Sequence, residues 1–88
     1  MNENQIMEFT NEQFGKIRTT LINGEPWFVG KDIAIALGYS NTKDAVNRHV
    51  DIDDRGRSCF TTPSGTQELT VINESGLFSL ILSSRLPT

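Results

Sequence analysis

The chain has 88 residues, of which 36% are hydrophobic, and its 8 Lys plus Arg against 11 Asp plus Glu give a formal net charge of −3. This length excludes a multidomain organisation, because folded units rarely fall below about 50 residues. The acidic balance is opposite to the basic one that is typical of nucleic-acid-binding modules, so any such role needs a local basic surface.

The first third of the chain predicts strands. Ile6 to Phe9 is a short apolar segment, and Lys16 to Ile22 alternates its side chains as a half-buried strand does. Asn23 and Gly24 tolerate the positive φ angles of a tight hairpin, and Pro26 to Val29 continue with aromatic and β-branched residues. We therefore predict one strand followed by a hairpin centred on Asn23-Gly24.

Two short helices are predicted next. Apolar residues at helical spacing follow Lys31, and Gly38 suits the end of a helix of about seven residues. Asn41 with Asp44 three residues later resembles a capping box and predicts the start of a second helix. The apolar face of that helix is predicted to contain Ala45, Val46, His49 and Val50.

The remainder predicts a second hairpin and a third helix. Asp51 to Gly56 indicates an acidic, solvated loop, and the strands Arg57 to Thr62 and Gln67 to Ile72 flank a four-residue turn, Pro63 to Thr66. Asn73 is a good N-cap for a strongly apolar helix, Glu74 to Ser83, which we expect in the core. The predicted class is α+β, with small antiparallel sheet elements from two hairpins packed against about three helices, including a helix-turn-helix-like pair.

Catalytic and metal-binding residue types are scarce. The one histidine, His49, is predicted to be a packed or half-exposed structural residue on the inward side of the second helix, and Cys59 is predicted to be a small hydrophobe in a strand. One His and one Cys cannot form a structural zinc site, and no glycine-rich phosphate loop is present. The sequence therefore predicts neither an enzyme nor a cofactor.

Three features of the sequence bear on localisation: its single cysteine, its N-terminal residues and the length of its apolar runs. A lone cysteine cannot form an internal disulfide, and no secretory leader opens the chain, so we expect a cytoplasmic protein. The longest nearly apolar run, Leu77 to Leu82, is far shorter than the ~20 residues that span a bilayer. We expect no membrane association.

The helix pair between Lys31 and Val50 supports two interpretations. Two helices joined by a glycine-containing turn are one way to offer a helix to the major groove of DNA, although simple packing of two helices gives the same apolar spacing. The candidate contacts on the second helix and its neighbourhood are polar or basic side chains that can bond bases or phosphates. They are Lys43, Asn47 and Arg48 first, followed by Thr42, Arg55 and Arg57.

The distribution of charge favours the same part of the chain. Residues 30–58 carry five basic and five acidic groups, whereas residues 1–29 carry two and four. A DNA-binding surface therefore requires the basic side chains, Lys31 among them, to gather away from Asp51, Asp53 and Asp54. The hairpin from Arg57 to Ile72 is predicted to act either as a wing, with Arg55 and Arg57 on phosphates, or as a plain sheet element.

An ordered set of segments resembles a known family. These segments are Ile22–Ala34, Ala36–Tyr39, His49–Val50, Ile72–Leu82, Ser84 and Leu86–Pro87, and together they resemble the BRO N-terminal domain of phage antirepressors and baculovirus repeated-ORF proteins. The resemblance extends from about Ile6 to the end of the chain, residues 1–88 being a single domain. It is more specific than any short motif above.

The resemblance implies a DNA-binding domain at the head of a phage or prophage regulator, which acts in the bacterial cytoplasm. Antirepressors of this type lift lysogenic repression, commonly by contacting a repressor protein. The resemblance also implies that the domain continues beyond Pro87-Thr88, so we expect a fragment. Double-stranded DNA is the expected partner; the alternative is a protein-interaction module that binds a phage repressor or forms a homodimer.

Overall fold

The computed structural model describes residues 6–11 and 15–84. Five strands form a single sheet in the order β1-β2-β3-β5-β4, and every neighbouring pair is antiparallel. Their bounds are β1 Ile6–Asn11, β2 Gly15–Ile22, β3 Glu25–Val29, β4 Arg55–Thr62 and β5 Gly65–Ile72. Three helices complete the fold: α1 Gly30–Ala36, α2 Thr42–His49 and α3 Glu74–Ser83. The predicted α+β class and the predicted order of elements are confirmed.

The β2–β3 hairpin closes as its sequence predicts. Ile22 pairs with Glu25, so the loop consists of Asn23 and Gly24 alone. Their φ angles are 51° and 80°. Positive φ at both central residues matches the right-handed twist of the two strands, which is why Asn-Gly is favoured here.

The β4–β5 hairpin is tighter and longer than predicted. Thr62 pairs with Gly65, so the loop contains Pro63 and Ser64, and the predicted four-residue turn through Thr66 is wrong. Gly65 has a φ of 119°, a conformation that glycine adopts easily, and it is the first residue of β5 directly after the loop. At the other end, β4 begins at Arg55 directly after a 3₁₀ turn over Ile52–Asp54, so the predicted solvated loop is shorter than expected.

Asparagine side chains cap the two longer helices. Oδ1 of Asn41 accepts a hydrogen bond from the Asp44 amide at 3.1 Å, and Oδ1 of Asn73 accepts one from the Gly76 amide at 2.9 Å. Each bond satisfies an amide that the helix itself leaves unpaired. The predicted starts of both helices are confirmed.

Two apolar clusters occupy the two faces of the sheet. The first joins the helices to Ile72, which is fully buried together with Leu80. The second is centred on Val29, Val71 and Phe60. Because Val29 pairs with Val71, and the neighbouring Phe28 pairs with Ile72, the short β3–β5 contact contributes to both clusters.

Tyr39 links the turn between α1 and α2 to the third helix. Its hydroxyl donates a hydrogen bond to the carbonyl of Leu80 at 2.9 Å. Desolvation by burial raises the pKa of Tyr39 above its ordinary value of 10.0. The phenol therefore stays protonated and keeps its donor across the neutral range.

Two sequence-based expectations about burial are wrong, and a third is confirmed only in part. His49 is exposed, because α2 ends at this residue, and its ring lies beside that of Tyr39 with 5.8 Å between centroids. Cys59 is exposed, because strand alternation turns its neighbours Ser58 and Phe60 inward. The third helix is only partly a core helix: Leu80 is fully buried, but Phe78, Ile81 and Leu82 are exposed. Within residues 6–11 and 15–84, no helix is long and apolar enough to cross a membrane.

Candidate nucleic-acid interface

A depression with a volume of about 220 Å³ lies between α2 and β5. The buried side chains of Val29 and Val46 form its base. Polar and charged residues surround that base: Lys31, Thr42, Lys43, Asn47, Glu68 and Thr70. The helix contributes Lys43 and Asn47 together because residues four apart lie on one helical face.

A second depression, of about 320 Å³, continues the first toward the beginning of β4. Lys43, Asn47 and Thr70 line both. The second adds Arg55 and Arg57, which lie two residues apart on the strand and so project from the same side of it. We call the combined surface the α2–hairpin groove.

Four cations line the α2–hairpin groove, and three of them make no ion pair with any residue in the described ranges. They are Lys31 and Lys43, both exposed, and Arg55, which is hydrogen-bonded to Asn47. Arg57 is paired with Glu68, with 3.0 Å between Nη1 and Oε1, and both side chains remain more than half exposed. Glu68 therefore offsets one positive charge and leaves an excess of cations in the groove.

Arg48 lies outside this groove. It is the next residue after Asn47 and occupies a different strip of α2, where Nη1 is 3.5 Å from Oδ2 of Asp44. An i,i+4 pair with both partners half exposed or more is weak, so Arg48 remains available to another anion. The structure thus brings together Lys43, Asn47, Thr42, Arg55 and Arg57, and leaves Arg48 beside them on the outer face of α2.

Most carboxylates of the central part of the chain lie outside the α2–hairpin groove, but one acidic side chain lies within it. Asp32 is held by Arg18, whose Nε lies 2.9 Å from Oδ2, and Asp54 accepts a hydrogen bond from Nδ2 of Asn73 at 3.1 Å. Oδ1 of Asp51 accepts from the Asp53 amide at 3.3 Å within the 3₁₀ turn. Glu68 is the acidic side chain that lines the groove.

Two groove residues, Glu68 and Thr70, were not anticipated from the sequence. In the observed register Arg57 pairs with Thr70 and Cys59 with Glu68, which places Glu68 diagonally across from Arg57. A four-residue turn would have paired Arg57 with Ile72 and moved Glu68 away from it. The signal that could have identified both residues is therefore the length of the Pro63-Ser64 loop.

This arrangement is suited to binding a polyanion. Lysine and arginine side chains attract phosphates, and the amide and hydroxyl groups of Asn47 and Thr42 can donate to or accept from base edges. The fold and groove together define a small α+β domain with a basic concave surface between a helix and a β-hairpin.

The chain belongs to the BRO family, as an N-terminal domain: the family model matches residues 16–88. An uncharacterised protein of Haemophilus influenzae is 36% identical over 88 residues, which cover 97% of this chain and 43% of the relative. A putative Bro-N domain-containing protein of Invertebrate iridescent virus 6 is 32% identical over 80 residues, which cover 70% of this chain and 19% of the relative. The resemblance seen in the sequence is thereby confirmed.

The chain spans less than half the length of these two curated relatives. No solved structure matches it significantly.

Proposed function

We propose that this chain is a non-enzymatic, DNA-binding regulatory domain of a phage or prophage antirepressor-type protein, acting in the bacterial cytoplasm. The observation that carries the proposal is the α2–hairpin groove, which collects Lys31, Lys43, Arg55 and Arg57 on one concave surface. Family membership supports it, because BRO N-terminal domains are associated with DNA binding in phage and viral proteins. The formal net charge of −3 is compatible with this role, since binding depends on the local field at the groove.

Binding would begin with phosphates and end with bases. Lys31 and Lys43 are exposed at the rim, where they meet the sugar-phosphate backbone first and orient the duplex. Asn47 lies between the two depressions on the exposed side of α2 and would face base edges once the helix enters a groove. The β4–β5 hairpin would lie along the neighbouring backbone.

A salt titration of binding to a mixed-sequence DNA duplex tests the proposal. Each phosphate contact releases condensed counterions, so the affinity falls as salt rises, with a logarithmic slope of about 0.9 per contact. We expect Lys43→Ala to weaken binding and to lower that slope by about one unit.

The matched control is Lys16→Ala, which removes the same charge from β2, where the side chain lines a separate depression. We expect this variant to keep the slope of the parent. Absence of salt-dependent binding in the parent, or equal slopes for Lys43→Ala and the parent, would contradict the proposal.

The alternative function is a protein-interaction module that binds a phage repressor or a second copy of the chain. It is favoured by the exposed apolar side chains of α3, of which Leu82 is 84% exposed and Phe78 57%. A stable complex with a phage repressor, or a concentration-dependent dimer, in a protein that does not bind duplex DNA at low salt would favour this alternative.

A further inference from the structure

Arg55 is half-buried and bound to another side chain of the groove. It is the first residue of β4, and its guanidinium reaches α2, where Nη1 donates a hydrogen bond to Oδ1 of Asn47 at 2.8 Å. Its Nε is buried and has no hydrogen-bond partner among the described residues. A guanidinium with one edge desolvated and another bound to an amide is poorly placed to move onto a phosphate.

The chemistry of this contact determines how Asn47 is oriented. Arginine has five N–H donors and no acceptor, so only the oxygen of the Asn47 amide can face it. The amide is planar, and its NH₂ group therefore points away from Arg55. Asn47 is exposed, and Nδ2 makes no hydrogen bond to any residue in the described part of the chain.

We infer that Arg55 is a positioning residue that holds Asn47 with its amide donors turned into the α2–hairpin groove, so that Asn47 reads hydrogen-bond acceptors on DNA bases. This inference rests on the proposed function. The acceptors available in the major groove are purine N7, guanine O6 and thymine O4. The sequence-based expectation for Arg55 was a phosphate contact, and the two roles predict different results.

A double-mutant cycle on DNA binding separates them. A preferred duplex is first selected from a randomised pool with the parent protein, and affinities for it and for a scrambled duplex are then measured. We expect Asn47→Ala to reduce the preference roughly tenfold, which is typical of a lost base contact. Arg55→Ala should reduce it by a similar factor, and the double variant should be no worse than either single one, because Arg55 acts through Asn47.

The salt slope is the second readout. A positioning role leaves the slope on scrambled duplex unchanged in Arg55→Ala, whereas Lys43→Ala lowers it by about one unit. A lower slope for Arg55→Ala, with affinity lost equally for both duplexes and additively with Asn47→Ala, would overturn the inference and identify Arg55 as a phosphate contact. A parent protein that binds DNA but selects no preferred sequence would overturn it as well.

A measurement without DNA separates failure of this inference from failure of the proposed function. In a ¹H–¹⁵N spectrum of the folded domain, the side-chain NH₂ signals of Asn47 should shift in Arg55→Ala and return toward the parent position in Arg55→Lys, which keeps a long donor. Unshifted signals in Arg55→Ala would show that Arg55 does not orient Asn47, whatever the domain binds. Thermal unfolding of both variants checks that the fold is retained.

Discussion

Helices α2 and α3 begin alike and differ in the side chains that they expose to water. Each starts after an asparagine whose side chain caps the amide three residues later, and each buries part of one face in the same apolar cluster. The exposed residues of α2 include Lys43, Asn47 and Arg48, whereas those of α3 include Phe78 and Leu82.

This comparison shows that the position of a helix in the fold and the chemistry of its exposed face are determined by different residues. Capping and a few buried residues, Ala45 and Val46 in α2 and Gly76 and Leu80 in α3, determine where each helix lies. The exposed faces contribute little to that placement. One helix can therefore serve a charged, hydrogen-bonding ligand while the other retains an apolar surface.

The largest expected effect is on the free energy of unfolding, and it tests the role of the buried residues of α3. Leu80→Ala should lower the free energy of unfolding by about 3 kcal/mol, because it leaves a cavity at a fully buried position. Leu82→Ala in the same helix is the matched control, and at 84% exposure it should change the free energy by less than about 0.5 kcal/mol. Urea unfolding of both variants checks this, and equal losses would show that α3 is packed differently.

The two caps are expected to differ in strength. Asn73→Ala should cost about 1.5 to 2 kcal/mol, because it removes both the cap and the 3.1 Å hydrogen bond to Asp54. Asn41→Ala removes a more exposed cap alone and should cost about 0.5 to 1 kcal/mol. Thermal or urea unfolding of the two variants gives the order; a larger cost at Asn41 would mean that the bond to Asp54 contributes nothing.

The smallest expected effect is the coupling free energy between two oppositely charged side chains of the α2–hairpin groove. A double-mutant cycle on Arg57 and Glu68 should give a coupling of roughly 0.5 kcal/mol or less, because both side chains are exposed and their pairing is screened. Glu68→Gln should then strengthen duplex binding, since it removes a negative charge from the groove at little cost in stability. Weaker DNA binding by Glu68→Gln would indicate that Glu68 itself contacts the ligand or orients Arg57 for it.

Much of the fold could be predicted because its signals are local. The Asn23-Gly24 loop and the caps Asn41 and Asn73 depend on residues within three positions of one another, and all are confirmed. The length of the Pro63-Ser64 loop was not predicted, because Gly65 and Thr66 suit a turn as well as a strand. The tertiary environment decided between them.

Burial was harder to predict because it depends on partners distant in the chain. Thr19 and Thr20 are adjacent in β2 and lie on opposite faces, yet both are fully buried, because the sheet is covered on both faces here and not on one as a half-buried strand would be. The hydrophobic pattern of α3 gave no signal that Phe78 and Leu82 would lack cover among the described residues.

The candidate site was predictable as a set of residues and not as a geometry. Lys43, Asn47, Thr42, Arg55 and Arg57 were chosen for their chemistry, and the structure places them on one groove. Their pairings, Arg55 with Asn47 and Arg57 with Glu68, join residues eight and eleven positions apart on different elements. Such contacts follow from strand register and helix packing, which composition and spacing do not specify.

The two-residue loop at Pro63-Ser64 imposes a parity rule on this hairpin. Side chains alternate along a strand, so lengthening the loop by one residue at the expense of β5 would pair Thr62 with Thr66 and turn Glu68 and Thr70 to the opposite face of the sheet. Lengthening it by two would keep every side chain on its face and only exchange its neighbours. The groove surface of β5 therefore depends on the register that this short loop sets, and a shift of one residue would exchange the two faces of the strand.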